Sequence, residues 1–406
     1  MVPLNIFLIL TLILLFWIFY FILTMRIYGQ IPHLLKTVST ISSESLPLVS
    51  LIIPARNEAQ RIGKCIESLK SQTYHRMEIL IVDDYSTDDT VKISNDIIGS
   101  DTRFRVLDLK SVRKEKPGDW FGKSNAVQQG SRQAKGEWLV FLDADVVLSP
   151  EIVEKAVAFV SENKLDLLSG IPYFSCDSFW TKVVQPIPLQ LVLLNLFHVN
   201  KPESRVAFAF GCFILIRRSV FDKIGGYEQV KEYIADDAEL AKLVKRSGFQ
   251  IRIVQAQDML TVKMYDRLAE MVEGWSKNIC LGLAQNTRIH SKTLKTLFIL
   301  MQFIGVFILF LLPFLLMGFS LILGLLYNVS YWGPLFLFSS LVWLSGVCVQ
   351  FMFQLRHGVG NAKYALLSFL GGAVVLAVFL DAPIRILFGK GIQWRGRTYF
   401  QKESRF

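Results

Sequence analysis

The sequence is short of charge and short of paired cysteines, and each shortage excludes something. Only 19% of its 406 residues are Asp, Glu, Lys or Arg, against 52% hydrophobic residues that include 31 Phe. With a mean hydropathy of +0.40, such a chain is neither disordered nor collagenous nor a small secreted scaffold, and it points to membrane spans. The five cysteines (Cys65, Cys176, Cys212, Cys280, Cys348) form no Cys-x-x-Cys pair. That excludes a disulfide framework and a zinc site, and leaves reduced thiols in a reducing compartment.

Charge is missing altogether from two stretches. Residues 1–25 carry none, and Leu4 to Met25 is long enough to cross a bilayer. A cleaved signal peptide is the alternative, but a basic leader and an Ala-x-Ala site are both lacking. Arg26, His33 and Lys36 follow at once and place that end of the span in the cytoplasm. Thr296 to Leu355 is also uncharged, and at about 20 residues per crossing it holds three spans. Pro313 and the Asn328 to Pro334 stretch are the expected breaks, giving spans near 296–312, 314–327 and 334–354, with another at 364–380. The tail, 381–406, carries Arg385, Lys390, Arg395, Arg397, Lys402 and Arg405. Five spans return it to the cytoplasm but leave Arg356 and Lys363 on the far side; four spans are the alternative.

Between the oily blocks, residues 46–290 change character. Short apolar runs at 48–53, 78–82, 104–108 and 137–142 alternate with amphipathic stretches at 61–72, 88–98 and 123–134. Strands alternating with helices predict an α/β domain with a parallel sheet, whose ligands bind beyond the carboxyl ends of the strands. Polar clusters stand there: Pro54-Ala-Arg-Asn-Glu58, Asp83-Asp84-Tyr-Ser-Thr-Asp-Asp-Thr90 and Asp143-Ala-Asp145. Any one of them could be a helix cap. Three at one rim need a cation, and an Asp-x-Asp pair offers the hard oxygens that suit Mg²⁺ or Mn²⁺ together with substrate phosphates.

The motifs Ile53-Pro-Ala-Arg-Asn-Glu-Ala59, Val82-Asp-Asp-Tyr-Ser-Thr-Asp88, Trp120-Phe-Gly-Lys-Ser-Asn-Ala126 and Phe141-Leu-Asp-Ala-Asp145, in that order, resemble the family 2 glycosyltransferases. The resemblance implies a Rossmann-like GT-A fold and a nucleotide-diphosphate sugar donor, a UDP-sugar. Ala55, Arg56, Glu58 and Asp84 then match the nucleotide cradle with Asp83 beside them, and Asp143 and Asp145 match the pair that holds the ribose and the metal-bound diphosphate. Lys123 adds a positive charge near the diphosphate, or is a solvated lysine at a helix start. In Tyr233-Ile-Ala-Asp-Asp-Ala-Glu-Leu-Ala241 the second acid matches the general base of inverting members. Asp237 is thus the expected catalytic residue and Asp236 the runner-up, although either could simply answer a helix dipole.

Processive synthases and ceramide glucosyltransferases carry Gln-x-x-Arg-Trp where this chain has Met271, Gly274 and Trp275, a mismatch that argues against chain building. The Gly-Trp-Ser-Lys-Asn form and the tail motif Gly391-Ile-Gln-Trp-Arg-Gly-Arg397 are similar to the subgroup that glycosylates membrane lipids, the bacterial carotenoid glycosyltransferases above all. Trp275 is expected near the acceptor, and Gly211 lies in the acceptor-side strand and turn. The run 179–199, with its two prolines, reads as an interfacial segment or a core helix. An integral protein of a bacterial-type plasma membrane with a cytoplasmic catalytic domain follows. The rival readings are a processive synthase, an inactive scaffold and a transporter, and nucleic acid loses its support as a partner.

Overall fold

A computed structural model describes residues 4–37, 46–112, 123–193, 196, 198–233, 235–278, 292–327, 332–387, 392–394 and 397–399. The chain divides into two compact units. Ile31–Ser175 and Asn195–Met264 form an α/β unit, and Met1–Gln30, Cys176–Leu194 and Tyr265–Phe406 form a helical unit. After helix α1 (Leu4–Gly29), the α/β unit begins as the apolar periodicity predicts: β1 (Val49–Ala55), α2 (Ile62–Lys70), β2 (Met77–Asp83), α3 (Thr90–Ile98), β3 (Phe104–Asp108), α4 (Leu109–Val112), α5 (Ser124–Gln133) and β4 (Trp138–Leu142). β1 and β4 are buried along their whole length, so both faces of the sheet are covered and the strands read as unbroken apolar runs. Helix α5 lies so close to the sheet that a Cβ on Gly130 would meet Ile52 Cγ2 at 2.6 Å; Gly is required there for the packing distance.

The remaining strands are β5 (Val146–Leu148), β6 (Leu167–Ile171), β7 (Tyr173–Phe174), β8 (Phe213–Arg217), β9 (Ile251–Gln255) and β10 (Leu260–Val262), with helix α6 (Ile152–Glu162) following β5. The main sheet has the order β3-β2-β1-β4-β8-β6-β9. It is mixed, because β8 runs antiparallel to both neighbours, β4 and β6. The expectation of a parallel sheet therefore holds for β3, β2, β1 and β4 and again for β6 and β9, and β8 alone is reversed. This reversal matters: pairing Leu142 with Phe213 sets the start of β8 beside the end of β4, where the site lies.

The helical unit comprises α1, α7 (Phe179–Val184), α8 (Pro186–Leu193) and, after α9 (Arg218–Lys223) and α10 (Asp236–Arg246) of the α/β unit, α11 (Leu268–Ser276) and the helices that follow it. These are α12 (Lys292–Val306), α13 (Leu312–Tyr327), α14 (Trp332–His357) and α15 (Ser368–Leu387), closed by a hairpin of β11 (Ile392–Trp394) and β12 (Arg397–Tyr399). Residues 179–193 break into two helices where Pro186 starts α8, a position that tolerates the missing N–H.

Among the described residues four helices are long and apolar enough to cross a membrane: Leu4–Arg26, Leu300–Tyr327, Trp332–His357 and Ala362–Asp381. The break expected at Pro313 does not occur, and the described residues offer four candidate spans. A π-helical turn at Phe307–Leu311 joins α12 to α13. Widening of the ladder just ahead of Pro313 absorbs the missing N–H and the ring's clash with the preceding turn, and the helix runs on.

Candidate active site

The register pairs Ala55 with Asp83 and Asp83 with Asp108, so three parallel strands end together at one rim. The loops beyond them are laced to each other. Asp84 N–H donates to Ala55 O at 2.8 Å, Arg56 Nη1 donates to Asp84 O at 3.0 Å, and Ser86 N–H donates to Asp83 Oδ2 at 3.0 Å. Asn57 completes the seam: its N–H donates to Ser86 Oγ at 3.0 Å and its Oδ1 accepts from Thr87 N–H at 2.8 Å. Glu58 N–H donates to Thr90 Oγ1 at 2.8 Å. Asn57 (φ 54°) and Tyr85 (φ 61°) adopt left-handed backbone, which costs about 1 kcal/mol or more each unless local bonds hold it. Ala55, Arg56, Glu58, Asp83 and Asp84 are thereby gathered in one place, with Asp83 and Asp84 buried.

The second half of the site sits where β4 meets β8. Lys123, just ahead of α5, forms an ion pair with Asp143 beyond β4, and its Nζ also donates to Gly211 O at 3.1 Å. Gly211 N–H in turn donates to Asp237 Oδ2 at 2.8 Å. A Cβ on residue 211 would stand 2.7 Å from that oxygen, so only glycine lets the acid approach. Ser124 Oγ donates to Asp236 Oδ2 at 2.9 Å. The two acids open α10, where the helix N-terminus favours negative charge, and they also receive local N–H groups: Asp237 N–H on Asp236 Oδ1 at 3.0 Å and Ala238 N–H on Asp237 Oδ1 at 2.7 Å.

Electrostatics separate these groups. Burial, then the charge of neighbouring Asp236, push the Asp237 carboxyl up to about 6, against the pull of Lys123 and the Ala238 and Gly211 N–H groups. Burial also raises Asp236, opposed by Lys123 and the Ser124 hydroxyl. For Lys123 burial works against the charge, but Asp143, Asp236 and Asp237 outweigh it and hold the ammonium protonated. One fixed cation thus serves three carboxylates, and Asp237 is poised for proton transfer near neutral pH.

Sequence reasoning named Lys123, Asp143, Gly211, Asp236 and Asp237 and missed their connector, Ser124. Its signal was its place directly after Lys123 in the Trp-Phe-Gly-Lys-Ser motif, of which Trp120 to Gly122 lie outside the described residues. Trp275 belongs to the helical unit, on α11, where its indole Nε1 donates to Gln185 Oε1 at 3.0 Å. Cys65, Cys176 and Cys212 are buried and unbridged. Burial raises the Cys65 and Cys212 thiols well above their usual range, as inert structural cysteines require. Cys280 lies outside the described residues.

A divalent cation was expected on Asp143 and Asp145. Among the described residues no three His, Cys, Asp or Glu side chains come together as a complete metal site. Two hard carboxylates in one turn fit Mg²⁺ or Mn²⁺ when the ion arrives with substrate phosphates, since such ions need only one or two protein carboxylates. Asp143 is engaged by Lys123.

The profile of glycosyl transferase family 2 matches residues 50–225, and that of glycosyl transferase family group 2 matches residues 138–355, more than half of the chain. The chain belongs to the family 2 glycosyltransferases. Its α/β unit is the GT-A domain of this family 2 glycosyltransferase. Curated relatives include the 4,4'-diaponeurosporenoate glycosyltransferase of Staphylococcus haemolyticus (strain JCSC1435), 27% identical over 252 residues that cover 61% of this chain and 64% of that protein. A Staphylococcus aureus (strain N315) protein of the same description is 27% identical over 254 residues, 62% of this chain and 65% of the relative. The match spans just under two thirds of the length of these relatives. Among solved structures, the mannosyltransferase PcManGT from Pyrobaculum calidifontis, in complex with GDP-Man and Mn2+, is 17% identical, with 94% of this chain and 99% of that chain covered and a TM-score of 0.49.

Proposed function

We propose that this protein is an inverting glycosyltransferase that moves a single sugar from a nucleotide-diphosphate sugar, a UDP-sugar, to a hydroxyl or carboxyl group of a membrane lipid of the carotenoid, hopanoid, glycerolipid or ceramide type. The observation that carries the reading is the half-buried chain Asp143–Lys123–Gly211–Asp237. The nucleotide lies against the seam of Ala55, Arg56, Glu58, Asp83 and Asp84, and Asp143 and Asp145 face the ribose and diphosphate. The acceptor oxygen attacks the anomeric carbon from the face opposite the diphosphate; Asp237 takes the proton of a hydroxyl acceptor, whereas a carboxyl acceptor attacks as the carboxylate with no proton to lose. The new glycosidic bond forms as the bond to the diphosphate oxygen breaks, and the electron pair leaves with the nucleotide. Lys123 stands beside Asp143 to offset the charge that develops there. Asp145, with Asp143, would hold a Mg²⁺ or Mn²⁺ ion, which would supply Lewis-acid stabilisation of the same leaving group when bound.

Transfer of one sugar, rather than chain growth, is supported by the local packing of α11. A Cβ on Gly274 would stand 2.5 Å from the Tyr265 hydroxyl and 2.6 Å from its ring, so the arginine of the Gln-x-x-Arg-Trp motif would displace Tyr265 from its place. The relatives' description, 4,4'-diaponeurosporenoate glycosyltransferase, supports a carotenoid-like acceptor, and the basic residues that follow α1 support a cytoplasmic GT-A domain. The test is Asp145→Ala in membranes supplied with donor and lipid extract. Release of nucleotide should fall by about 10³-fold and lose its dependence on added Mn²⁺ while the protein still inserts. Undiminished, metal-dependent release would refute the assignment.

A further inference from the structure

The fourth candidate span, Ala362–Asp381, does not sit in the helical unit as the other three do. The level of each residue along the bundle can be read from ring and backbone contacts. At one edge the Tyr28 ring at the end of α1 packs on His357 at the end of α14, with centroids 3.9 Å apart. Half-way up, Trp17 packs on Phe310 at 5.5 Å and against Gly346. Near the other edge Phe7 stacks on Phe338 at 6.0 Å, and Phe319 meets Trp332 at 5.8 Å. Helices α1 and α14 therefore run in the same direction through the full depth, and α12–α13 runs against them.

Helix α15 starts in the middle. Phe369, its second residue, stacks on Phe314 at 3.8 Å, and Phe314 also faces Trp343 at 6.0 Å. Trp343 is about 21 Å above His357, at 1.5 Å per residue. One turn later, a Cβ on Gly372 would meet Phe310 Cβ at 2.7 Å, which is the level of Trp17. Helix α15 thus heads back toward the edge marked by Tyr28 and His357. On the way Val375 and Val378 line a cleft with Val184 and Trp275, and β11 after it packs on α11. Twenty residues of helix span about 30 Å, enough to travel from mid-depth past that edge. From Leu315 to Tyr327 helix α13 extends beyond the start of α15 toward the opposite edge.

The segment before α15 makes the ascent. Helix α14 ends in a Schellman turn, with Gly358 at φ 59° and Val359 N–H bonded to Gln354 O at 3.3 Å. Gly360 at φ 62° then turns the chain back against Cys176 and Lys182. The 3₁₀ helix Ala362–Leu367 climbs beside α7, where Tyr364 meets Phe179 at 6.0 Å and lies 5.5 Å from Lys182 Nζ.

We infer that residues 358–387 form a re-entrant hairpin embedded in a single leaflet of the bilayer, entering and leaving on the face where α1 ends, so that the chain crosses the membrane three times. The charges fit this path independently. Arg26, Arg356 and Lys363 fall on one face together with the start of α12, whose sequence carries Lys292 and Lys295, and the sequence between α13 and α14, Asn328 to Tyr331, carries no charge. Four crossings would put the basic tail and Lys363 on opposite faces.

The test is labelling of single cysteines (Asn328→Cys, Lys363→Cys, Gln401→Cys) in the full-length, otherwise cysteine-free chain, using a membrane-impermeant maleimide on intact and permeabilised cells. Positions 363 and 401 should behave alike and opposite to 328, whichever way the bundle is oriented. Opposite behaviour of 363 and 401 overturns the inference. If the cysteine-free chain fails to insert, the unaltered chain fused at its C-terminus to a fluorescent protein or to alkaline phosphatase decides the matter. Fluorescence without phosphatase activity is expected from a cytoplasmic tail, and phosphatase activity from the fused tail overturns it.

Discussion

The two halves of the proposed site are built differently. The donor half hangs on β1 and β2, neighbouring strands, and its loops fasten to each other by backbone and short side-chain bonds such as Asn57 to Thr87. The acid half joins Lys123, Asp143, Gly211 and Asp237, and each link is a single contact. Geometry held by many parallel bonds should tolerate the loss of one of them. Geometry held by single contacts between distant elements should fail at one atom.

Four substitutions probe that contrast. Asp237→Asn should lower kcat by about 10³-fold, within the range for a lost general base, with donor affinity kept; kcat and donor binding measured on the same sample check this. Gly211→Ala should cost about 10²-fold in kcat/KM, because its methyl group would push Asp237 Oδ2 off position and an error near 1 Å is enough. The double variant Gly211→Ala, Asp237→Asn should then be little worse than Asp237→Asn alone.

Asp236→Asn should keep kcat within about tenfold, a smaller loss than that of the base itself. It should also move the acid limb of the rate profile. In the unaltered chain kcat/KM should fall as pH drops through about 6, where Asp237 takes up a proton. Removing the Asp236 charge should carry that limb to lower pH, and a loss as large as that of Asp237→Asn would make Asp236 the base. Stability changes in the opposite sense. A carboxyl raised above its unfolded value contributes stability below the ordinary carboxylate range and loses it as pH rises through the folded value. Asp236→Asn should therefore raise the melting temperature at pH 8, as measured by thermal unfolding in detergent. The smallest effect is expected from Asn57→Ala on the donor half, about 1–2 kcal/mol of stability and a few-fold increase in donor KM. A collapse of activity there would erase the distinction between the halves.

Strands β1 to β4 and helices α2, α3 and α5 lie within a residue or two of where apolar periodicity places them, because a buried parallel strand is written in its own residues. Strand β8 was not legible in that way. Its direction depends on pairing with β4 and β6, to which its own five residues, Phe213 to Arg217, bear no local mark. Pro313 misled for a similar reason: it reads as a break, and the π-helical turn that absorbs it has no signature of its own. Ser124 stood in plain view inside a motif, but its partner lies more than a hundred residues along the chain.

By itself the sequence determined the chemistry available: carboxylates after strands, one lysine ahead of a helix, an acid pair at another helix start, and two uncharged blocks able to enter a bilayer. These follow from local pattern and from the cost of placing charge in hydrocarbon. Only the tertiary structure decided which acid faces which donor. Gly211 reaches Asp237 because an antiparallel strand begins where β4 ends, and the burial that raises that carboxyl exists only once α5, β8 and α10 have closed around it. Hydropathy is a property of segments and depth is a property of packing, so the level at which α15 lies was likewise set by Phe314 and Phe310, residues of another helix.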